Sequence, residues 1–136
     1  MIALDTNVLA RFYISPASDE DRKQADQAEA ILASERTLFV PITVSLELAW
    51  LLKAVYEQGP AAIKRVFDHL LALPNITVED AGALAQATEW HIKGLEFADA
   101  LHLAKSSTCT GLVTFDSLFL KRARRLALHP AVAASA

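Results

Sequence analysis

The chain begins Met1-Ile2-Ala3-Leu4-Asp5-Thr6-Asn7, and a second stretch of the same kind, Leu112-Val113-Thr114-Phe115-Asp116, lies near its end. In each stretch a short apolar run stops at an aspartate, which is the pattern of a buried strand that turns into a helix. Ligands of open α/β sheets bind in the crevice outside the carboxyl ends of the strands. Asp5 and Asp116 are therefore predicted to lie at one edge of a parallel sheet, where they face a ligand.

The rest of the chain alternates short apolar runs with helical patterns. Strands are predicted at 1–4, 38–40, 76–78, 111–114 and, as an edge strand, 127–132, and helices at 8–13, 19–35, 43–56, 61–73, 80–91, 96–105 and 117–126. This alternation favours the α/β class, with a parallel sheet covered by helices on both faces. A chain of 136 residues fits one domain, predicted at 1–130, with a frayed alanine-rich tail at 131–136.

Composition narrows the class of protein. A hydrophobic fraction of 53% with 21% charged residues excludes a disordered chain. No apolar stretch approaches the roughly 20 residues of a membrane span, and no secretory signal precedes the first strand. One cysteine, Cys109, excludes an internal disulfide, so we expect a cytoplasmic protein without a membrane partner. The net charge of −3 opposes nucleic-acid binding, but a metal ion that neutralised four clustered acids would remove this objection.

Two further acids, Glu47 and Asp99, come early in predicted helices. Helical side chains lean toward the N-terminus of their helix, so both acids are expected to point back toward the strand ends and to meet Asp5 and Asp116. Ligation by oxygen alone favours Mg²⁺ or Mn²⁺, completed by a substrate phosphate, and hence phosphodiester hydrolysis. The alternative is that these acids only cap helices or hold a structural ion.

Four short motifs occur in order along the chain: Leu4-Asp5-Thr6-Asn7, Ser45-Leu46-Glu47-Leu48, Phe97-Ala98-Asp99-Ala100-Leu101-His102 and Thr114-Phe115-Asp116. Together they resemble the PIN-domain ribonucleases, most of all the small VapC-type toxins, over about residues 2–126. The resemblance implies an αβα three-layer sandwich with a short parallel sheet of four or five strands. It also implies a Mg²⁺- or Mn²⁺-dependent endoribonuclease, the toxin of a type II toxin–antitoxin pair, which forms a homodimer and binds a cognate antitoxin in its cleft.

The resemblance also assigns roles to residues. It makes Asp5, Glu47 and Asp99 the main metal ligands and Asp116 a fourth, with Thr6, Asn7 and Thr114 in support. Thr6 and Asn7 are alternatively helix caps. His102 follows Asp99 by three residues, but no second histidine is near enough in sequence for a zinc site, so we expect a hydrogen-bonded, semi-buried residue.

Five basic residues on helices that leave the predicted site are candidates for binding RNA phosphates: Arg11, Lys121, Arg122, Arg124 and Arg125. Ordinary solvation is the alternative for this charge run. The helix after Thr43, with Trp50 and Val55, is apolar nearly all round, which indicates a protein partner or a dimer contact.

Two other functions remain open. One is a phosphatase that uses Asp5 as a nucleophile. Phosphatases of this kind carry an Asp-x-Asp pattern, however, and in this chain Asn7 occupies the position of the second acid. The other is a noncatalytic or housekeeping metal-binding module of the same fold, since a fold alone does not fix a function.

Overall fold

Five short strands and seven helices alternate in the computed structural model, which describes residues 1–136. In chain order they are β1 (Ile2–Ala3), α1 (Thr6–Tyr13), α2 (Asp19–Leu32), β2 (Leu38–Val40), α3 (Ile42–Ala54), α4 (Pro60–Ala72), β3 (Ile76–Val78), α5 (Ala81–Ile92), α6 (Phe97–Ala104), β4 (Gly111–Val113), α7 (Ser117–Leu126) and β5 (Ala131–Ala133). The predicted α/β class is confirmed, and every paired strand runs parallel to its neighbour. None of the helices combines the length and the apolar character that a bilayer span requires.

The chain divides into two compact units, Met1–Ala81 and Gly82–Ala136, called here the N-terminal and the C-terminal unit. The strands are hydrogen-bonded as a three-stranded sheet of order β1-β2-β3 and a two-stranded sheet of β4 and β5. The sequence predicted one sheet of four or five strands, whereas the five observed strands are hydrogen-bonded as sheets of three and two strands. The domain boundary at 1–130 stays a prediction.

The N-terminal unit is built on β2, the central strand of its sheet. Leu38 and Val40 on β2 are fully buried, and so are apolar residues of three helices: Leu9, Leu48, Leu52, Ile63 and Phe67. The prediction that residues 1–4 are buried is wrong except at Leu4, because Ile2 is 41% exposed. The reason is that β1 is an edge strand of this sheet, so that only one side of it is covered by a neighbouring strand.

The C-terminal unit has its own apolar core, which includes Leu84, Ala87, Leu95, Leu103 and Phe119. The prediction of a frayed tail at 131–136 is wrong for its first three residues, because Ala131–Ala133 form β5 in parallel register with β4. The backbone N–H of Thr114 extends this ladder by donating to the carbonyl of Ala133 at 2.9 Å. Val132 is buried, and one buried valine with a strand ladder is what anchors a segment that is otherwise alanine-rich.

Candidate metal centre

Asp5 lies at the junction between β1 and α1. Its backbone is extended, and its carboxylate oxygen Oδ1 accepts a hydrogen bond from the Thr6 N–H at 2.8 Å, so Asp5 is the N-cap of α1. The prediction that Thr6 or Asn7 caps this helix is therefore wrong by one or two residues. The cap occupies only Oδ1, so that Oδ2 of this exposed side chain remains available to a ligand.

Thr6 connects Asp5 to the second predicted acid. Its side chain is only 3% exposed, and its hydroxyl donates a hydrogen bond to Oε1 of Glu47. Glu47 lies in the second turn of α3, and this bond holds it beside the start of α1. The N-terminal unit thus brings Asp5 and Glu47 together through the intervening Thr6, which we call the threonine-linked pair.

The start of α3 depends on an acid that the sequence patterns did not single out. Pro41 is the N-cap residue of α3 and offers no side-chain acceptor. Oε1 of Glu79 instead accepts from the Ile42 N–H at 2.8 Å. Glu79 comes directly after β3, and an acid after an apolar run is the same sequence pattern that marked Asp5 and Asp116.

Asp116 occupies in the C-terminal unit the position that Asp5 has in the N-terminal unit. It is the N-cap of α7, and its Oδ1 accepts from the N–H groups of Leu118 at 2.9 Å and Phe119 at 3.1 Å. The Asp116 N–H in turn donates to the hydroxyl of Thr114 at 3.1 Å, so Thr114 fixes the turn that presents Asp116. Capping and presentation of a free Oδ2 are compatible here too.

Asp99 lies in the first turn of α6 and is partly buried. Burial raises the pKa of this carboxyl above its ordinary value, and repulsion by the nearby Asp116 raises it further. Glu96 acts in the same direction, whereas His102 and Arg122 lower it. Asp116 therefore lies close enough to Asp99 to disfavour its charge, as expected of carboxylates that share a cation, and we call Asp99 and Asp116 the repelling pair.

The remaining predicted residues are less directly connected with these acids. Asn7 is exposed and lines a cavity of about 410 Å³ between α1 and α2, without a hydrogen bond to Asp5 or Glu47. His102 is exposed rather than semi-buried. Within neither unit do three or more His, Cys, Asp or Glu side chains form a group that could hold a metal ion.

The five basic candidates fall into two classes. Arg11 forms an ion pair with Asp21 at 3.1 Å, and Arg122 lies 3.9 Å from a carboxylate oxygen of Glu96. Arg125 lies against Gly94, where an added Cβ atom would come within 3.3 Å of the guanidinium. Lys121 and Arg124, like Arg125, are exposed on α7. These three are thus the basic residues most open to a ligand.

The donor chemistry of each pair fits a hard divalent ion. Each offers two carboxylates from different elements, without a competing thiolate, and Mg²⁺ in phosphate-processing sites is typically bound through one or two carboxylates plus substrate phosphate. A raised carboxyl pKa next to a second carboxyl marks a place where a cation would be stabilising. Both pairs are therefore suitable fragments of a metal centre.

Parallel strands followed by acidic residues are the features of an α/β protein with oxygen donors after its strands. The family model that matches the sequence is more specific: the PIN domain matches residues 2–125, so the chain belongs to the PIN-domain family. Members of this family are in general metal-dependent nucleases. Membership therefore implies a nuclease-type activity for this chain. No curated protein and no solved structure matches the chain.

Proposed function

We propose that this protein is a Mg²⁺- or Mn²⁺-dependent endoribonuclease of the VapC type, the toxin of a type II toxin–antitoxin pair. The observation that carries the proposal is the threonine-linked pair, in which Asp5 and Glu47 stand together at the start of α1 with an oxygen of each left free. The PIN-domain match supports it further because it extends over residues 2–125 and so includes all four acids.

In this proposal Asp5, Glu47 and Asp99 hold the metal ion, and Asp116 contributes a fourth carboxylate. The ion, when bound, offsets the charge that develops on the scissile phosphate and makes water a better nucleophile. The residues of the chain do the positioning. Thr6 fixes the rotamer of Glu47 through its hydroxyl, Thr114 fixes the turn that carries Asp116, and Asn7 supports the start of α1.

The partners follow from the same proposal: an RNA substrate, a cognate antitoxin and a second copy of the chain. The surface at α3 supports a protein contact, because Trp50 on the helix is 62% exposed and Val55, its C-cap residue, is 54% exposed, while Leu48 and Leu52 pack in the core. Large apolar side chains exposed together on a surface are typical of protein interfaces. The free Cys109 is consistent with a reducing cytoplasm.

Cleavage of RNA by purified protein tests the catalytic part. We expect strand cleavage with Mg²⁺ or Mn²⁺, none in EDTA, and a loss of at least roughly 100-fold in Asp5→Asn, since removing a ligand charge weakens the metal site while asparagine keeps the helix cap. The matched control is Asp26→Asn, which changes an exposed acid on α2. Cleavage that persists in Asp5→Asn would assign the activity to a contaminant.

A noncatalytic role has one observation in its favour, the use of Asp5 and Asp116 as helix caps. Binding of Mn²⁺ without cleavage of any RNA would favour this second function. Hydrolysis of a small phosphate monoester, with RNA left intact, would instead favour a phosphatase.

A further inference from the structure

Phe115, between β4 and α7, is the most exposed large hydrophobic residue of the chain, at 92%. Its backbone is held on both sides: the Thr114 N–H donates to the Ala133 carbonyl at 2.9 Å, and the Asp116 N–H donates to the Thr114 hydroxyl at 3.1 Å. An aromatic ring exposed to water lacks the hydrophobic free energy that it would gain by packing against a ligand. Phe115 therefore presents an exposed ring on an ordered backbone, next to Asp116 in the sequence.

The surroundings of Phe115 are apolar first and then basic. Leu118, in the first turn of α7, is 55% exposed, and Lys121 and Arg124 follow it at intervals of three residues on exposed positions. Between 113 and 126 the sequence contains one acid, Asp116 itself. Within this segment, the charges other than that of the proposed metal ligand Asp116 are thus complementary to phosphate.

An aromatic ring beside unpaired cationic groups matches the chemistry of a single-stranded nucleic acid. Proteins bind single strands by stacking bases on aromatic side chains and tracking the phosphates with a basic groove. A duplex keeps its base faces stacked inside the helix, where they cannot reach Phe115. Double-stranded RNA is recognised by shape and backbone, for which an exposed phenylalanine offers no contact.

We propose that Phe115 stacks on an unpaired base of single-stranded RNA next to the scissile phosphate, with Lys121 and Arg124 on the flanking phosphates. This inference rests on the proposed nuclease function and assigns Phe115 to the binding of a base at that site. Arg122 and Arg125 are left out of this assignment, because Arg122 lies 3.9 Å from a carboxylate oxygen of Glu96 and the guanidinium of Arg125 lies near Gly94.

The test measures binding of the full chain to a short single-stranded RNA and to the same strand annealed to its complement, in EDTA so that no cleavage occurs. We expect Phe115→Ala to weaken binding to the single strand by roughly tenfold and Phe115→Trp to restore it, since stacking needs a π-face. Phe115→Leu keeps an apolar surface without a ring and should behave like alanine. Melting temperatures of the three variants verify that each is folded.

The salt dependence of binding tests the phosphate contacts separately. For a single strand each lost phosphate contact reduces the slope of log affinity against log salt by about 0.7. We expect this change in Lys121→Ser and in Arg124→Ser. The control, Arg65→Ser, removes an exposed arginine from α4 of the N-terminal unit and should leave the slope unchanged.

Equal affinity of Phe115→Ala and the unchanged protein for single-stranded RNA would overturn the inference. So would full rescue by Phe115→Leu, which would indicate an apolar contact with RNA that needs no aromatic ring. Because binding is measured without metal, these outcomes are independent of the proposed cleavage, which fails separately if the unchanged protein cuts no RNA with Mg²⁺ or Mn²⁺.

Discussion

The two carboxylate pairs illustrate two ways of keeping acids close together. In the threonine-linked pair, Thr6 donates its backbone N–H to Asp5 and its hydroxyl to Glu47, which offsets part of the cost of placing the two acids close together. In the repelling pair no such donor links the two acids, and Asp116 helps to raise the pKa of Asp99. The acids of the first pair are thus held by hydrogen bonds, whereas a cation would relieve the repulsion in the second.

Loss of the threonine link is expected to have the largest effect. Thr6→Val keeps the shape of the side chain but removes the donor to Glu47, so we expect cleavage and Mn²⁺ affinity to fall by roughly 10- to 100-fold. Thr6→Ser retains a hydroxyl and is the matched control. Titration of Mn²⁺ by calorimetry, beside the cleavage assay, distinguishes the loss of a metal site from unfolding. Unchanged affinity in Thr6→Val would mean that Glu47 needs no positioning.

Two substitutions at Asp116 distinguish its structural role as a helix cap from a catalytic role. Asp116→Ala removes the acceptor for two N–H groups and is expected to cost about 1 kcal/mol of unfolding free energy, or roughly 3–5 °C in melting temperature. Asp116→Asn keeps an acceptor and should melt close to the unchanged protein, yet lose activity. If both variants retain activity, Asp116 serves only as a cap.

The strain in the repelling pair predicts a stabilising substitution. In EDTA at pH 7, Asp99→Asn should raise the melting temperature by about 1–3 °C, because it removes a partly buried charge that burial and Asp116 disfavour. Since the folded pKa is raised, the folded state binds more protons between the unfolded and folded pKa values. Stability therefore falls as the pH rises through that interval, and the gain from asparagine should vanish below it.

Asp5→Asn makes the corresponding change in the threonine-linked pair. It should stabilise less than Asp99→Asn, because the Thr6 hydroxyl already compensates Glu47. A drop in melting temperature for Asp99→Asn would show that its carboxylate makes a structural bond.

The smallest effect is expected at Arg11, whose ion pair with Asp21 is partly exposed. Surface pairs of this kind contribute about 0–1 kcal/mol, so Arg11→Met should change the melting temperature by less than about 2 °C. Its affinity for RNA in EDTA should also stay unchanged, in contrast to Lys121→Ser. A reduced salt slope in Arg11→Met would restore Arg11 as a phosphate contact.

Much of the secondary structure could be predicted because its signals are local. The apolar runs located all five strands to within a few residues, and the periodicity of residues 61–73 anticipated α4. The caps were harder. Thr6 or Asn7 was the predicted cap of α1, yet Asp5 caps this helix, and α3 takes its acceptor from Glu79, 37 residues away from Ile42. An acceptor supplied by a residue distant in sequence cannot be recognised from the residues around the helix start.

The sequence by itself determined the α/β class, the positions of the four acids after strands or early in helices, and the PIN-domain motifs. These are properties of neighbouring residues and of spacing. The tertiary structure alone decided which acids share a donor and which repel, that β1 is an edge strand, and that Phe115 is held facing solvent. Each of these depends on packing between segments distant in sequence, and packing is set by the whole core rather than by any local pattern.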